Sequence, residues 1–183
     1  MWRNEWVGLD PGRFVFIDES GAKTNMTRLR GRAPCGERLV EHVPHGHWHT
    51  TTMISAIRLT GVEAPMVIDG PMDAMVFRGY IERMLVPTLH AGDIVVMDNL
   101  SAHKAAGVRE AIEAVGASLL YLPPYSPDLN PIEAMWSKVK QSLRGAAART
   151  SRTLLTAIGD ALRSVTLDDA RGFFKGCGYI ATQ

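Results

Sequence analysis

One short run, Asp93-Ile94-Val95-Val96-Met97-Asp98, constrains the fold of this chain more than any other stretch. Four apolar residues between two aspartates leave no polar face for water. That is the pattern of a central strand covered on both sides. With 183 residues the chain is long enough for one domain with a sizeable core.

The neighbouring segments supply the rest of the sheet. Arg13-Phe14-Val15-Phe16-Ile17 is aromatic and β-branched, and reads as a buried strand ending at Asp18. Residues 50–59 and 64–68 are two further strands, separated by the Thr60-Gly61 turn; the short connections predict antiparallel neighbours. Residues 21–37 read as a loop or irregular hairpin. Residues 73–89 then change period, with Met75, Val76, Tyr80, Ile81, Met84 and Leu85 at helical spacing and Asp73 placed to cap the start. A second helix is expected over 105–115, a fifth strand over 118–122, a helix over 131–147, and a last helical stretch over 153–165 before a glycine-rich tail. Three consecutive strands followed by alternating helices and strands predict a mixed five-stranded α/β sheet, antiparallel in its first half and parallel in its second, with helices on both faces.

Hydrophobic residues make up 46% and charged residues 21% of the chain, an ordinary globular balance. The longest apolar runs are too short to span a bilayer, and the N-terminus has no apolar signal core, so the expectation is a cytoplasmic protein with no membrane partner. Cys35 and Cys177 lack any paired metal spacing and read as two reduced thiols. The net charge of +1 is uninformative, but its distribution is not. Lys23, Arg28, Arg30, Arg32 and Arg38 form one basic stretch, and Lys138, Lys140, Arg144, Arg149 and Arg152 another. Either could follow a phosphate backbone or be a solvated surface.

Three acidic residues stand out by placement. Asp18 ends the first strand, Asp98 ends the fourth, and Glu133 lies in the first turn of the helix after the fifth. Strand ends in α/β sheets are common sites for chemistry. Converging carboxylates repel one another, and a hard divalent cation such as Mg²⁺ relieves that repulsion with oxygen ligands. Asn130-Pro131-Ile132-Glu133 is also a strong helix start, in which Asn130 caps and Glu133 closes a capping box. Taken alone, that structural role accounts for Glu133.

The words around these residues change the balance. Phe16-Ile17-Asp18-Glu19-Ser20, then Met97-Asp98-Asn99-Leu100-Ser101-Ala102-His103-Lys104, then the segment PYSPDLNPIE ending at Glu133, with Trp136 and Lys140 behind it, closely resemble the DDE catalytic domain of mariner-type transposases and their bacterial insertion-sequence relatives. The 34 residues between Asp98 and Glu133 are a spacing characteristic of that superfamily. The resemblance implies a ribonuclease-H-like fold with strand order 3-2-1-4-5, which sets the first and fourth strands side by side and brings Asp18 to Asp98. It implies Asp18, Asp98 and Glu133 as catalytic residues and metal ligands, and two Mg²⁺ ions, replaceable by Mn²⁺. The activity it implies is phosphodiester hydrolysis at transposon ends and strand transfer into target DNA at a TA dinucleotide. It also implies a dimer in the DNA complex and a bacterial, nucleoid-associated setting.

Around that triad, Asn99, His103, Asp128 and Asn130 are candidates for supporting roles, and Arg28, Arg30, Arg32, Lys138 and Lys140 for DNA contacts. Glu19 should point to the opposite face from Asp18 if the strand continues. His42, His45, His47 and His49 are dense enough to suggest zinc, but no cysteine partners them. About a dozen residues precede the first strand, too few for the helix-turn-helix modules of that family. The expectation is therefore one catalytic domain over 1–183, with end recognition left to an upstream helix-turn-helix partner frame. A truncated, non-catalytic DNA-binding remnant and a host nuclease of the same fold are the alternatives.

Overall fold

The computed structural model describes residues 8–40, 42–45 and 48–180. Strands β1 (Phe14–Lys23), β2 (Thr50–Arg58) and β3 (Gly61–Asp69) come first. Helix α1 (Ala74–Tyr80), strand β4 (Ile94–Met97), helix α2 (Val108–Glu113) and strand β5 (Ser118–Tyr121) follow, then helices α3 (Pro131–Ala146), α4 (Ser151–Arg163) and α5 (Leu167–Gly176). The sheet has the expected order β3-β2-β1-β4-β5. β2 is antiparallel to both β1 and β3, whereas β4 is parallel to both β1 and β5. No helix among the described residues is long and apolar enough to cross a membrane.

Side-chain alternation along the strands sorts the core into two layers. Phe14, Phe16, Met53, Ile57, Ile94 and Val96 point to one face, where Ile132, Met135, Trp136 and Val139 of α3 pack with Ile158 and Phe174 of the last two helices. Val15, Ile17, Ile54, Val95, Met97 and Leu119 point to the other, against Phe77, Tyr80, Val108 and Ile112. All four residues of β4 are buried, as the opening run demands.

Four local expectations need correction. β1 does not end at Asp18 but runs on to Lys23, because Ser20 and Ala22 continue the buried alternation that β2 pairs with. Its last residues therefore come out of the segment expected to be loop. The helix expected over 73–89 is α1 followed by a π turn (Ile81–Leu85) and a 3₁₀ turn (Val86–Thr88) with Pro87 near its start. The wider turn shifts the helical phase, so Met75 and Met84 are exposed while Phe77 and Leu85 are buried. Asp73 does cap, accepting from the Val76 amide at 2.8 Å. Finally, the glycine-rich tail contains α5, opened by a capping box between Thr166 and Asp169 and held by Ala170 and Phe174.

At the end of the sheet away from Asp98, Arg58 ties three segments together. Its guanidinium donates to Glu63 at 2.7 Å, to Asp93 at 2.8 Å and to the Thr88 carbonyl at 2.9 Å, so β2, β3 and the entry to β4 share one buried cation. Removing one member of such a buried set strands the others without a partner, at about 3–5 kcal/mol. Arg58→Ala is expected to lower the unfolding free energy measured in urea by that much, and Arg58→Ala with Asp93→Asn should recover part of it. Additive losses in the double variant would show that the pair is not coupled.

Candidate active site

The parallel register of β1 and β4 sets Phe16 beside Val96. Two residues further along each chain stand Asp18 and Asp98, on the same face of the sheet as α3. Asp18 is buried, 9% exposed, in mid-strand. Its Oδ1 accepts the Glu19 amide at 2.8 Å, and its Oδ2 has no hydrogen-bond partner among the described residues. Ser55, paired with Asp18 across β1–β2, gives its hydroxyl instead to the Glu63 carbonyl at 2.9 Å. No salt bridge to Asp18 forms among the described residues. Burial raises the Asp18 carboxyl most, followed by Glu133, Glu19 and Asp98, against the lowering effect of the Glu19 amide; together they push its pKa to about 8.

Asp98 follows the last residue of β4 and is held differently. Its Oδ1 accepts the Leu100 amide at 3.1 Å and lies 2.5 Å from His103 Nδ1. That second contact is a close ion pair, since Nδ1 lacks the angle of a formed hydrogen bond. His103 Nε2 meets Glu19 Oε2 at 2.9 Å. The ring is fully buried and stacks on Phe77, with centroids 4.3 Å apart. Burial works against the charged imidazole, but Asp98 and Glu19 outweigh it and push His103 up to about 10. Burial would raise the Asp98 carboxyl, but His103 and the Leu100 amide hold it below its usual range.

Glu133 enters from α3. It is exposed, and Asn130 gives its backbone N–H to Pro127, not to Glu133, so there is no capping box here. Asn130 occupies the cap position without capping; its buried Oδ1 makes no hydrogen bond among the described residues. Ile132, Met135 and Trp136 bury the adjacent face of α3 and fix the turn that carries Glu133. Asp18, Asp98, Asn99, Asn130 and Glu133 line one cleft of about 400 Å³ with the loop from Leu122 to Pro127. That loop carries three prolines and a Tyr125 in the left-handed region at φ 55°, its side chain fully exposed.

The other candidates fall in different places. Asp128 sits in a 3₁₀ turn (Pro127–Leu129) and does not line the cleft. His103 stands behind Asp98 instead of on the cleft wall. Lys138 is engaged with Asp169, and Lys140 is half-buried. Arg28, Arg30 and Arg32 are exposed on the long β1–β2 connection. His42, His45 and His49 are exposed on that connection too, and His47 lies outside the described residues. Cys35 is exposed and Cys177 buried, and no disulfide joins them. Glu19 was the residue that sequence reasoning set aside. The signal was the alternation itself, which placed it on the far face, where His103 is.

The donor set suits a hard cation. It consists of carboxylate oxygens, one of them buried with its charge uncompensated by any base. Among the described residues no three His, Cys, Asp or Glu side chains are gathered closely enough to hold an ion unaided. The carboxylates line a shared cleft without converging on one point.

A family model described as DDE superfamily endonuclease matches residues 13–155, a span that includes Asp18, Asp98 and Glu133. The chain belongs to the DDE endonuclease superfamily. This DDE domain is 27% identical to the Tcb2 transposase of Caenorhabditis briggsae over 175 residues, covering 88% of the chain and 63% of that protein. It is 26% identical to the Tc1 transposase of Caenorhabditis elegans over 179 residues, covering 90% and 62%. The chain thus spans less than two thirds of these relatives' length. The crystal structure of the Mos1 mariner transposase catalytic domain superposes with a TM-score of 0.66 at 16% identity, covering 96% of this chain and 82% of that one. A pre-cleavage Mos1 transpososome gives 0.70 at 17% identity, covering 96% and 56%. The DDE domain therefore has the ribonuclease-H-like fold.

The Asp18 environment has a measurable cost. Folded Asp18 keeps its proton up to about pH 8, while the unfolded chain releases it near 3.8. The folded state binds the extra proton between those values, so this group's contribution to stability falls as pH rises through the window. In metal-free buffer Asp18→Asn is expected to melt above the wild type, by a margin that grows from about pH 5 to about pH 8.5. A margin independent of pH would show that Asp18 is ionised throughout.

Proposed function

We propose that this domain is a transposase catalytic domain, carrying out divalent-metal-dependent hydrolysis of DNA phosphodiesters at element ends and transfer of the freed 3′-hydroxyl to target DNA. The observation that carries this reading is the grouping of Asp18, Asp98 and Glu133 on one cleft within a DDE endonuclease fold. Tcb2 and Tc1 are both transposases, which supports the same reading.

In hydrolysis, water bonds to phosphorus as the P–O3′ bond breaks, leaving a 3′-hydroxyl and a 5′-phosphate. In strand transfer that hydroxyl attacks a target phosphorus in the same manner, and no covalent bond to the protein forms. Asp18, Asp98 and Glu133 would hold divalent ions, whose positive charge would stabilise the attacking and leaving oxygens. Asp18 is held within β1, and Asp98 directly after β4 is held through the Leu100 amide and His103. Glu133, exposed on a rotatable side chain, closes the set when ions and DNA enter. The proline-rich loop forms the far wall of the cleft. Mos1 paired-end complexes solved with Mn and with Mg support either ion.

DNA is the partner in this reading. The exposed Arg28, Arg30 and Arg32 are assigned to its phosphates. Two catalytic domains act together on paired ends, and recognition of the end sequence is assigned to a helix-turn-helix module joined to this domain, since the relatives are longer than the chain.

The test is nicking of supercoiled plasmid in Mg²⁺ or Mn²⁺. Wild type should nick, and Asp98→Asn, compared at a temperature where it is still folded, should lose at least about 100-fold of the rate. Undiminished nicking by Asp98→Asn would sink the assignment. If neither protein nicks, the same pair fused to an upstream helix-turn-helix module should be compared on the element's own terminal repeats. Inactivity of the wild-type fusion there would favour a DNA-binding remnant.

A further inference from the structure

The parallel ladder between β1 and β4 stops at Phe16 and Val96, while β1 runs on to Lys23. Beyond that point nothing separates the two faces of the sheet next to β1. Glu19 points to the face of α1, and Asp98 leaves β4 towards the face of α3. His103, on the short 3₁₀ turn Ser101–Lys104, stands in the gap and touches both: Nε2 at 2.9 Å from Glu19 Oε2, and Nδ1 at 2.5 Å from Asp98 Oδ1. From these contacts we infer that Glu19 and His103 are positioning residues for Asp98, clamping its Oδ1 so that only Oδ2 is offered to a metal ion, in a fixed direction. The inference rests on the reading of Asp98 as a metal ligand.

The surroundings allow the imidazole little freedom. Its ring is stacked on Phe77 with an interplanar angle of 29°. The His103 amide donates to the Leu100 carbonyl at 3.2 Å, and the His103 carbonyl accepts the Tyr121 hydroxyl at 3.3 Å. Asp98 does not need the histidine to satisfy its turn, because the Leu100 amide already bonds Oδ1. The second contact, an ion pair to the same oxygen, further restrains a carboxylate that the Leu100 amide alone would leave room to swing. Asp18 reaches the same condition by a shorter route: the Glu19 amide occupies its Oδ1 and leaves Oδ2 open. One residue, Glu19, thus acts on both aspartates, through its backbone on Asp18 and through His103 on Asp98.

Partners that orient a metal ligand from behind are worth about 10–100-fold in metal affinity. Mn²⁺ binding to the full chain, without DNA, can be read from the electron paramagnetic resonance signal of the free ion. His103→Gln is expected to weaken binding by about 10–100-fold and Glu19→Gln by about 10-fold. Both should regain nicking as Mn²⁺ is raised, because the shift lies in the metal half-saturation and not in the maximal rate. Glu19 is partly exposed and its glutamine variant keeps the side-chain shape, so it decides the matter if His103→Gln does not fold. Wild-type Mn²⁺ affinity in Glu19→Gln and in a folded His103→Gln, with Asp98→Asn defective, overturns the inference and leaves the site reading intact. Wild-type affinity in Asp98→Asn overturns both. A folded His103→Gln whose nicking stays low at saturating Mn²⁺ also counts against it, since a loss beyond metal affinity belongs to packing.

Discussion

The molecule depends on β1 having two different neighbours. On one side it is antiparallel to β2 from Phe16 to Lys23; on the other it is parallel to β4 for three residue pairs. The first pairing makes a long, stiff strand out of a sequence that would otherwise end at its first acidic residue. The second brings in a strand from far along the chain, with its own aspartate in matching register. Both aspartates owe their positions to backbone ladders. Such placement is stiffer than a loop provides, and it suits groups whose separation must be held within a fraction of an ångström.

That stiffness comes with electrostatic conflict. Asp18 is buried among like charges and is held well above its usual range, whereas Asp98, one strand away, is held below its own by a histidine. The two carboxylates are chemically the same and differ in environment. The buried cation Arg58 lies at the opposite end of the sheet, where it binds Asp93 and Glu63 and does nothing to relieve Asp18. The domain thus pairs its buried charges at Arg58 and at His103, and leaves the Asp18 carboxyl without a cationic partner among the described residues. Native proteins often accept such local instability where function requires it, and offset it elsewhere.

Much of this was legible in the residues. Asp18 and Asp98 each follow an apolar run, Glu133 stands in a helix start, and the strand order is what the family resemblance implies. What was hidden had definite physical reasons. The phase of the helix before β4 was unreadable because a π turn breaks the 3.6-residue period on which Met75 and Met84 were judged to face inwards. Helix α5 was missed because Gly172 and Gly176 lower its intrinsic propensity, while Phe174 and a capping box supply what propensity does not. Asn130 was legible as a helix start, yet its side chain is turned away from that task. The importance of Glu19 turns on where β4 stops. Strand length is set by both partners, and no single stretch of sequence reveals it.

The early end of β4 has a consequence for solubility. From Ile17 to Lys23, β1 has a ladder partner on one side only, so it presents the backbone of an open strand edge next to the cleft. Such edges recruit strands from other molecules, and native chains guard them with charge directed into the sheet. Here the guards are the Glu19 carboxylate and the Ser101–Lys104 turn whose His103 it holds. The residues that prepare the cleft for a metal also discourage a second polypeptide from docking there. Losing both would remove two functions at once, leaving an inactive domain with an unguarded edge.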